Sequence, residues 1–139
     1  MLRMGPVSNA ILDSLRQDGP AKDEWKIVCF QKEGFSITVG RNSFSNEKMI
    51  SEHPHRSCIW LHAMASRGSH VILCQEGKGN PPDGVLQYAA ALALKFSHSE
   101  ARTVSVSLLR DVFKPDNAGI GIWKTKRPIL VEVAEVMPS

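Results

Sequence analysis

The sequence predicts an α+β domain in which a mixed, mostly antiparallel sheet packs against one long buried alanine-rich helix, with short accessory helices beside it. Three observations carry this. Short runs rich in β-branched and aromatic residues recur between turn formers. A single segment, Val85 to Phe96, is apolar nearly all round, with only alanine and leucine from Ala89 to Leu94. The length, 139 residues, suits one hydrophobic core rather than two.

Taken in order, Val7, Ile11, Leu12 and Leu15 fall on one side of a short amphipathic helix that Gly19-Pro20 stops, so residues 1–24 read as an appendage. Trp25 to Gln31 and Phe35 to Gly40 are strands joined by a Lys32-Glu33-Gly34 hairpin turn. Asn42, Ser43, Ser45 and Asn46 offer turns and caps for a helical patch around Phe44 to Ile50, which His53-Pro54-His55 breaks. Cys58 to Ala63 and His70 to Cys74 are continuous apolar strands joined through Arg67-Gly68-Ser69, and at least one should be central and covered on both faces. Asn80 as N-cap, Pro81 at the first helical position and Asp83 near the third start the core helix. Its alanines permit a close approach to the sheet that a row of leucines would not. Val104 to Phe113, Gly119 to Trp123 and Pro128 to Val133 supply the remaining strands, the middle one weakened by its two glycines. The domain is thus expected over residues 25–133, with 134–139 as a tail. No internal repeat is present.

Composition narrows the function. With 42% apolar and 22% charged residues the chain folds rather than acting as a disordered regulator. Its longest apolar run falls short of the roughly 20 residues a membrane helix needs. No apolar stretch follows the basic residue of the N-terminus, so no secretory signal is expected and the cytoplasm is the expected location. Cys29, Cys58 and Cys74 are widely spaced, lack a C-x-x-C or zinc-like pairing, and read as small buried apolar residues.

The net charge of +3 is too small to announce a nucleic-acid binder, but its distribution is uneven. Arg110, Lys114, Lys124, Lys126 and Arg127 oppose only Asp111 and Asp116 between residues 110 and 127, and residues 41 to 78 are also basic. If these stretches meet, one face becomes positive while the whole stays nearly balanced.

Isolated chemical motifs are weak. His62 and His70 could approach across neighbouring strands, but no acidic residue lies between Ser57 and Gln75 to complete a metal site. A Ser69-His70 or Ser69-His62 hydrolase lacks the Gly-x-Ser-x-Gly elbow. Gly77-Lys78-Gly79-Asn80 lacks the spacing of a phosphate loop. What remains is a set of donors with few acceptors: Arg41, Asn42, Arg56, His62, Arg67, Ser69, His70, Lys114, Lys124 and Lys126, with Trp60 and Trp123 among them. Guanidinium and ammonium groups bind phosphate, amide and hydroxyl add direction, and imidazole or indole stacks on an unpaired base. The competing reading places Trp60 in the core, buries His62 and leaves Asn42 as a turn cap.

The order of motifs adds a family. Glu33-Gly34-Phe35 to Val39-Gly40-Arg41-Asn42, then Asn46-Glu47, Ile59-Trp60-Leu61-His62-Ala63 and Gly68-Ser69-His70-Val71 resemble the NFACT-R domain. The likeness continues through the alanine-rich helix, Val104 to Val106, Val112-Phe113-Lys114-Pro115, and on to Ile129–Val133. It implies a non-catalytic RNA-binding module without cofactor or metal, directed at tRNA or ribosomal RNA and linked to ribosome-associated quality control, here in a stand-alone form. Arg41, Asn42, His62, Ser69, His70 and Lys114 carry over by position. Cys58 stands where the family usually has an acidic residue, and Arg67 replaces a proline, adding charge for phosphate contact. Together with Lys124 and Lys126 these form the expected nucleic-acid-binding set. A histidine-dependent hydrolase or nuclease using His62 and His70, or a ribosome-bound protein-interaction module, are the alternatives.

Overall fold

The computed structural model describes residues 26–64, 68–75 and 79–135. Strands β1 (Ile27–Lys32), β2 (Phe35–Gly40), β3 (Ile59–Ala63), β4 (His70–Cys74), β5 (Thr103–Leu108) and β8 (Ile129–Glu132) form one sheet in the order β1-β2-β4-β3-β5-β8. Helix α1 (Ser43–Glu52) follows β2, and helix α2 (Asp83–Ser97) follows β4. A 3₁₀ turn (Leu109–Asp111) leads into a two-stranded ribbon of β6 (Val112–Phe113) and β7 (Lys124–Thr125). Every pairing is antiparallel, so the sheet is not mixed. The segment expected to be helical within residues 1–24, and Trp25, lie outside the described residues.

Side-chain alternation assigns the two faces. Ile37, Val39, Leu61, Ala63, Val71, Leu73, Val104 and Val106 point to α2, whose Ala89, Ala90, Leu92 and Ala93 are fully buried against them. Trp60 and Ile72 point the other way, onto Met49 and Ile50 of α1 with Leu109 and Val112. Strands β3 and β4 are central and covered on both faces, which is why they read as unbroken apolar runs. The small alanine face of α2 sets its distance from the sheet. An Ala93→Leu substitution should overpack that contact and cost about 1–3 kcal/mol, read as a lower urea midpoint.

The hairpin forms as expected, with Glu33 and Gly34 both at positive φ (52° and 84°) and Lys32 facing Phe35. Three details differ from the sequence reading. The N-cap of α2 is Pro82, not Asn80: Pro81 precedes another proline and is pushed away from helical geometry, so the helix begins only after Pro82, at φ −58° and ψ 156°. The Pro82 carbonyl then accepts from the Val85 and Leu86 amides. The strand expected over Val104 to Phe113 is broken by the 3₁₀ turn, which turns the chain from the sheet into the ribbon. Gly119 to Trp123 forms no strand, because Gly121 takes φ +80° where its backbone lies against Ser43 of α1.

Candidate nucleic-acid interface

The Asn42 side chain caps α1, its Oδ1 accepting from the Ser45 amide at 2.8 Å. This fixes the first turn of the helix, and the next residues of that turn organise the site. Buried Asn46 accepts the His70 backbone N–H on Oδ1 at 3.2 Å and donates from Nδ2 to the Gly68 carbonyl at 3.5 Å. It thereby ties α1 to the start of β4. Gly40 makes room for it, since a Cβ there would collide with the Asn46 side-chain oxygen. Asn46→Leu keeps the volume but strands the buried His70 N–H, and should cost about 1–3 kcal/mol in urea unfolding.

Around this bracket three aromatic side chains stack on the α1 face of the sheet. Trp60 lies 5.8 Å from His62 and 5.6 Å from His70 between ring centroids, and the two imidazoles stack at 4.3 Å and 18°. Trp60 Nε1 donates to His70 Nδ1 at 2.9 Å, which places the His70 proton on Nε2, where it donates to the Gly121 carbonyl at 3.1 Å. Burial, reinforced by neighbouring His62, pushes the His70 pKa down to about 3, so the ring is neutral. His62 is only half-buried; burial lowers its pKa, opposed by a backbone hydrogen bond to Gly68, and its Nε2 has no partner among the described residues.

The segment from Lys114 to Trp123 closes over this stack. Glu47 Oε1 accepts from the Gly121 amide at 2.7 Å and from Lys114 Nζ at 2.8 Å, while Lys114 also donates to the Gly119 carbonyl at 2.7 Å. The same ammonium sits 5.1 Å from the Trp123 ring centroid. Lys114 is therefore a strut that holds the segment to α1. Thr125 points back to Ser107 of β5, Oγ1 donating at 2.8 Å, and its neighbours Lys124 and Lys126 are exposed. On the other side of the bracket, buried Ser69 donates to the Phe96 carbonyl at 3.3 Å, and exposed Arg41 lies 5.2 Å from the Phe96 ring.

The nine expected residues thus divide. Arg41, Lys124 and Lys126 are exposed cations, Arg41 over Phe96 of α2 and the two lysines on the ribbon beside Ser107 of β5, and His62 is part-buried. Asn42, Ser69, His70 and Lys114 have hydrogen bonds within the protein that set the shape of the loops. Arg67 lies outside the described residues. Arg56 turns inward, donating to the carbonyls of Ile50 and Leu109. Trp60 is core, 2% exposed.

Sequence reasoning missed Asn46, Glu47 and Gly121 as organisers, although Asn46-Glu47 was visible as a motif fragment. It also missed Lys26, which lines a shallow groove of about 420 Å³ with Ile27, Val28 and Arg41. The cysteines are a clearer correction: Cys58 and Cys74 are joined by a disulfide, and only Cys29 is free. Those two and His53 are also the one cluster of potential metal ligands among the described residues, in place of His62 and His70. Parallel stacking keeps the in-plane lone pairs of those two imidazoles from converging on one ion.

An antiparallel sheet flanked by two helices, with a hydrogen-bonded loop cluster at one end and exposed cations on the surrounding loops and ribbon, defines a small binding module. Residues 25–117 match the family described as NFACT protein RNA binding domain, and the chain belongs to that family. It is 33% identical over 91 residues to the Rqc2 homolog RqcH of Bacillus subtilis (strain 168), covering 63% of this chain and 15% of that protein. The RqcH of Streptococcus pneumoniae (strain D39) is 39% identical over 61 residues, covering 44% of this chain and 11% of the relative. In fold it resembles the C-terminal part of the fibronectin/fibrinogen-binding protein from Streptococcus suis, with a TM-score of 0.68 at 24% identity, covering 86% of this chain and 48% of that one. The chain therefore spans a small fraction of the full relatives. No helix among the described residues is long and apolar enough to cross a membrane.

Proposed function

We propose that this chain is a non-catalytic binder of structured RNA, tRNA or ribosomal RNA, acting in the cytoplasm in ribosome-associated quality control. Arg41, Lys124 and Lys126 contact phosphates, joined by Arg67, which precedes Gly68 in the sequence. The exposed part of the His62 ring, whose Nε2 is buried, meets a base by ring contact. Asn42, Ser69, His70 and Lys114 hold the loops in the shape the RNA reads.

The observation that carries this reading is the division of charge. The carboxylate inside the cluster, Glu47, is already matched by Lys114, so the outer cations are left for a polyanion. The Gly68 and Gly121 carbonyls that could repel phosphate are likewise occupied by side-chain donors.

A histidine hydrolase or nuclease is less well supported. A general base needs a free lone pair, yet His70 Nδ1 accepts from Trp60 and its Nε2 carries the proton given to Gly121. RNA crosslinked to the protein in cells and sequenced tests the proposal directly. Enriched tRNA or ribosomal RNA supports it, and recovery of no RNA above a mock sample overturns it. Cleavage of the bound RNA, lost when both histidines are replaced, would favour the enzyme instead.

A further inference from the structure

The Cys58–Cys74 pair has no part in the RNA reading. The β3–β4 register sets Ile59 opposite Leu73, so one further step brings Cys58 opposite Cys74, with their Cα atoms 4.7 Å apart. Cys58 is sealed at 3% exposure, whereas Cys74, at the end of β4, is only partly covered. His53 Nε2 lies 3.5 Å from the Cys74 sulfur. The His53 Nδ1 accepts the His55 backbone N–H at 3.1 Å, so the imidazole proton resides on Nε2 and an N–H donor is aimed at that sulfur. Positively charged Arg56 lies near enough to His53 to act on its charge. Arg56 helps keep His53 neutral, and the N–H donor that the neutral ring aims at the Cys74 sulfur favours its thiolate.

We propose that Cys58 and Cys74 form a reversible dithiol–disulfide couple in which Cys74 is the exchanging sulfur and Cys58 the resolving one, with a low-molecular-weight disulfide as oxidant. The Cys74 thiolate attacks one sulfur of that disulfide, forming a mixed disulfide and expelling one small thiolate. The Cys58 thiol then gives up its proton and attacks the Cys74 sulfur, closing the cross-strand bond and releasing the second small thiolate. The two cysteines lose two electrons, and the two small thiolates released become thiols by taking up the Cys58 proton and the proton shed when the Cys74 thiolate formed. In a reducing compartment such a bond is transient, as sensing disulfides are.

The third cysteine is an internal contrast. Burial pushes the Cys29 thiol up to about 11, with a hydrogen bond to Thr38 acting the other way, so it should stay inert. A metal is the competing occupant, since the ligand atoms of His53, Cys58 and Cys74 lie within 4.8 Å of one another. The tautomer speaks against it, because a protonated Nε2 presents no lone pair.

The test treats the fully reduced chain with glutathione disulfide, followed by alkylation and peptide mass analysis. Wild type should lose two hydrogens in a Cys58–Cys74 crosslinked peptide while Cys29 remains alkylatable. Cys58→Ser should stop at a glutathione adduct on Cys74, and His53→Gln should slow that capture about tenfold. The wild-type result needs no substitution, so it decides even where a variant does not fold. Absence of the crosslink, glutathione attached equally to Cys29 and Cys58, or one-to-one zinc uptake that blocks oxidation would each overturn the proposal.

Discussion

Reversing Arg41, Lys124 and Lys126 together to glutamate is expected to weaken binding of structured RNA by about a hundredfold at moderate salt. Each lost phosphate contact removes roughly 1 kcal/mol, and 1.4 kcal/mol is tenfold in affinity, so three contacts give about two decades. The signature lies in the salt dependence. A protein that no longer neutralises three phosphates releases fewer counterions, so the slope of log affinity against log salt should become shallower by about two to three. All three side chains are exposed and none anchors the core, so the circular dichroism spectrum and urea midpoint should stay near wild type. Titrating labelled tRNA and a ribosomal RNA fragment at three salt concentrations measures both quantities. Wild-type affinity with an unchanged slope would place the RNA elsewhere on the surface.

The contrast between these exposed cations and Lys114 shows what residue type alone conveys. All four read as equivalent basic residues in the sequence, but direction separates them: Lys124 and Lys126 flank inward-pointing Thr125, while Lys114 folds back onto Glu47 and Trp123. The strands Phe35–Gly40 and His70–Cys74 were legible because their residues form dense β-branched or apolar runs between clear turn signals. Helix α2 was legible in its body but not in its cap, where two successive prolines outweighed Asn80. The disulfide was hidden because only the pairing of β3 with β4, a property of the sheet, brings residues 58 and 74 together. Gly119 to Trp123 was misread for a related reason. Its shape is dictated by docking on α1 through Gly121 and Glu47, contacts between residues 74 positions apart that no local pattern records.

Stability should fall steeply between pH 6.5 and pH 5, before most carboxylates titrate. Burial pushes the His53 pKa down to about 4, aided by the positive charges of His55 and Arg56, and pushes His70 down to about 3, aided by His62. In the unfolded chain both titrate near 6.5. Between the folded and unfolded values the unfolded state binds more protons, so acid favours unfolding; the stability is fully present above 6.5 and drains as pH falls toward 4 and 3. At 1.36 kcal/mol per pH unit, each histidine costs about 2 kcal/mol by pH 5, about 4 kcal/mol for the pair. His62, lowered by burial, acts in the same direction. Against a total of roughly 5–15 kcal/mol for a domain, the drop is large enough to unfold a marginal protein. Urea unfolding at pH 7 and pH 5 measures it, and His53→Gln should recover about 2 kcal/mol of the difference, since glutamine takes up no proton. The physical cause is the packing itself. His70 donates to Gly121 and accepts from Trp60 in the neutral form, and protonating Nδ1 would set an N–H against the indole N–H across 2.9 Å. Equal stability at the two pH values would mean that neither ring is held neutral in the folded state, and the Trp60–His70 hydrogen bond would have to be abandoned with it.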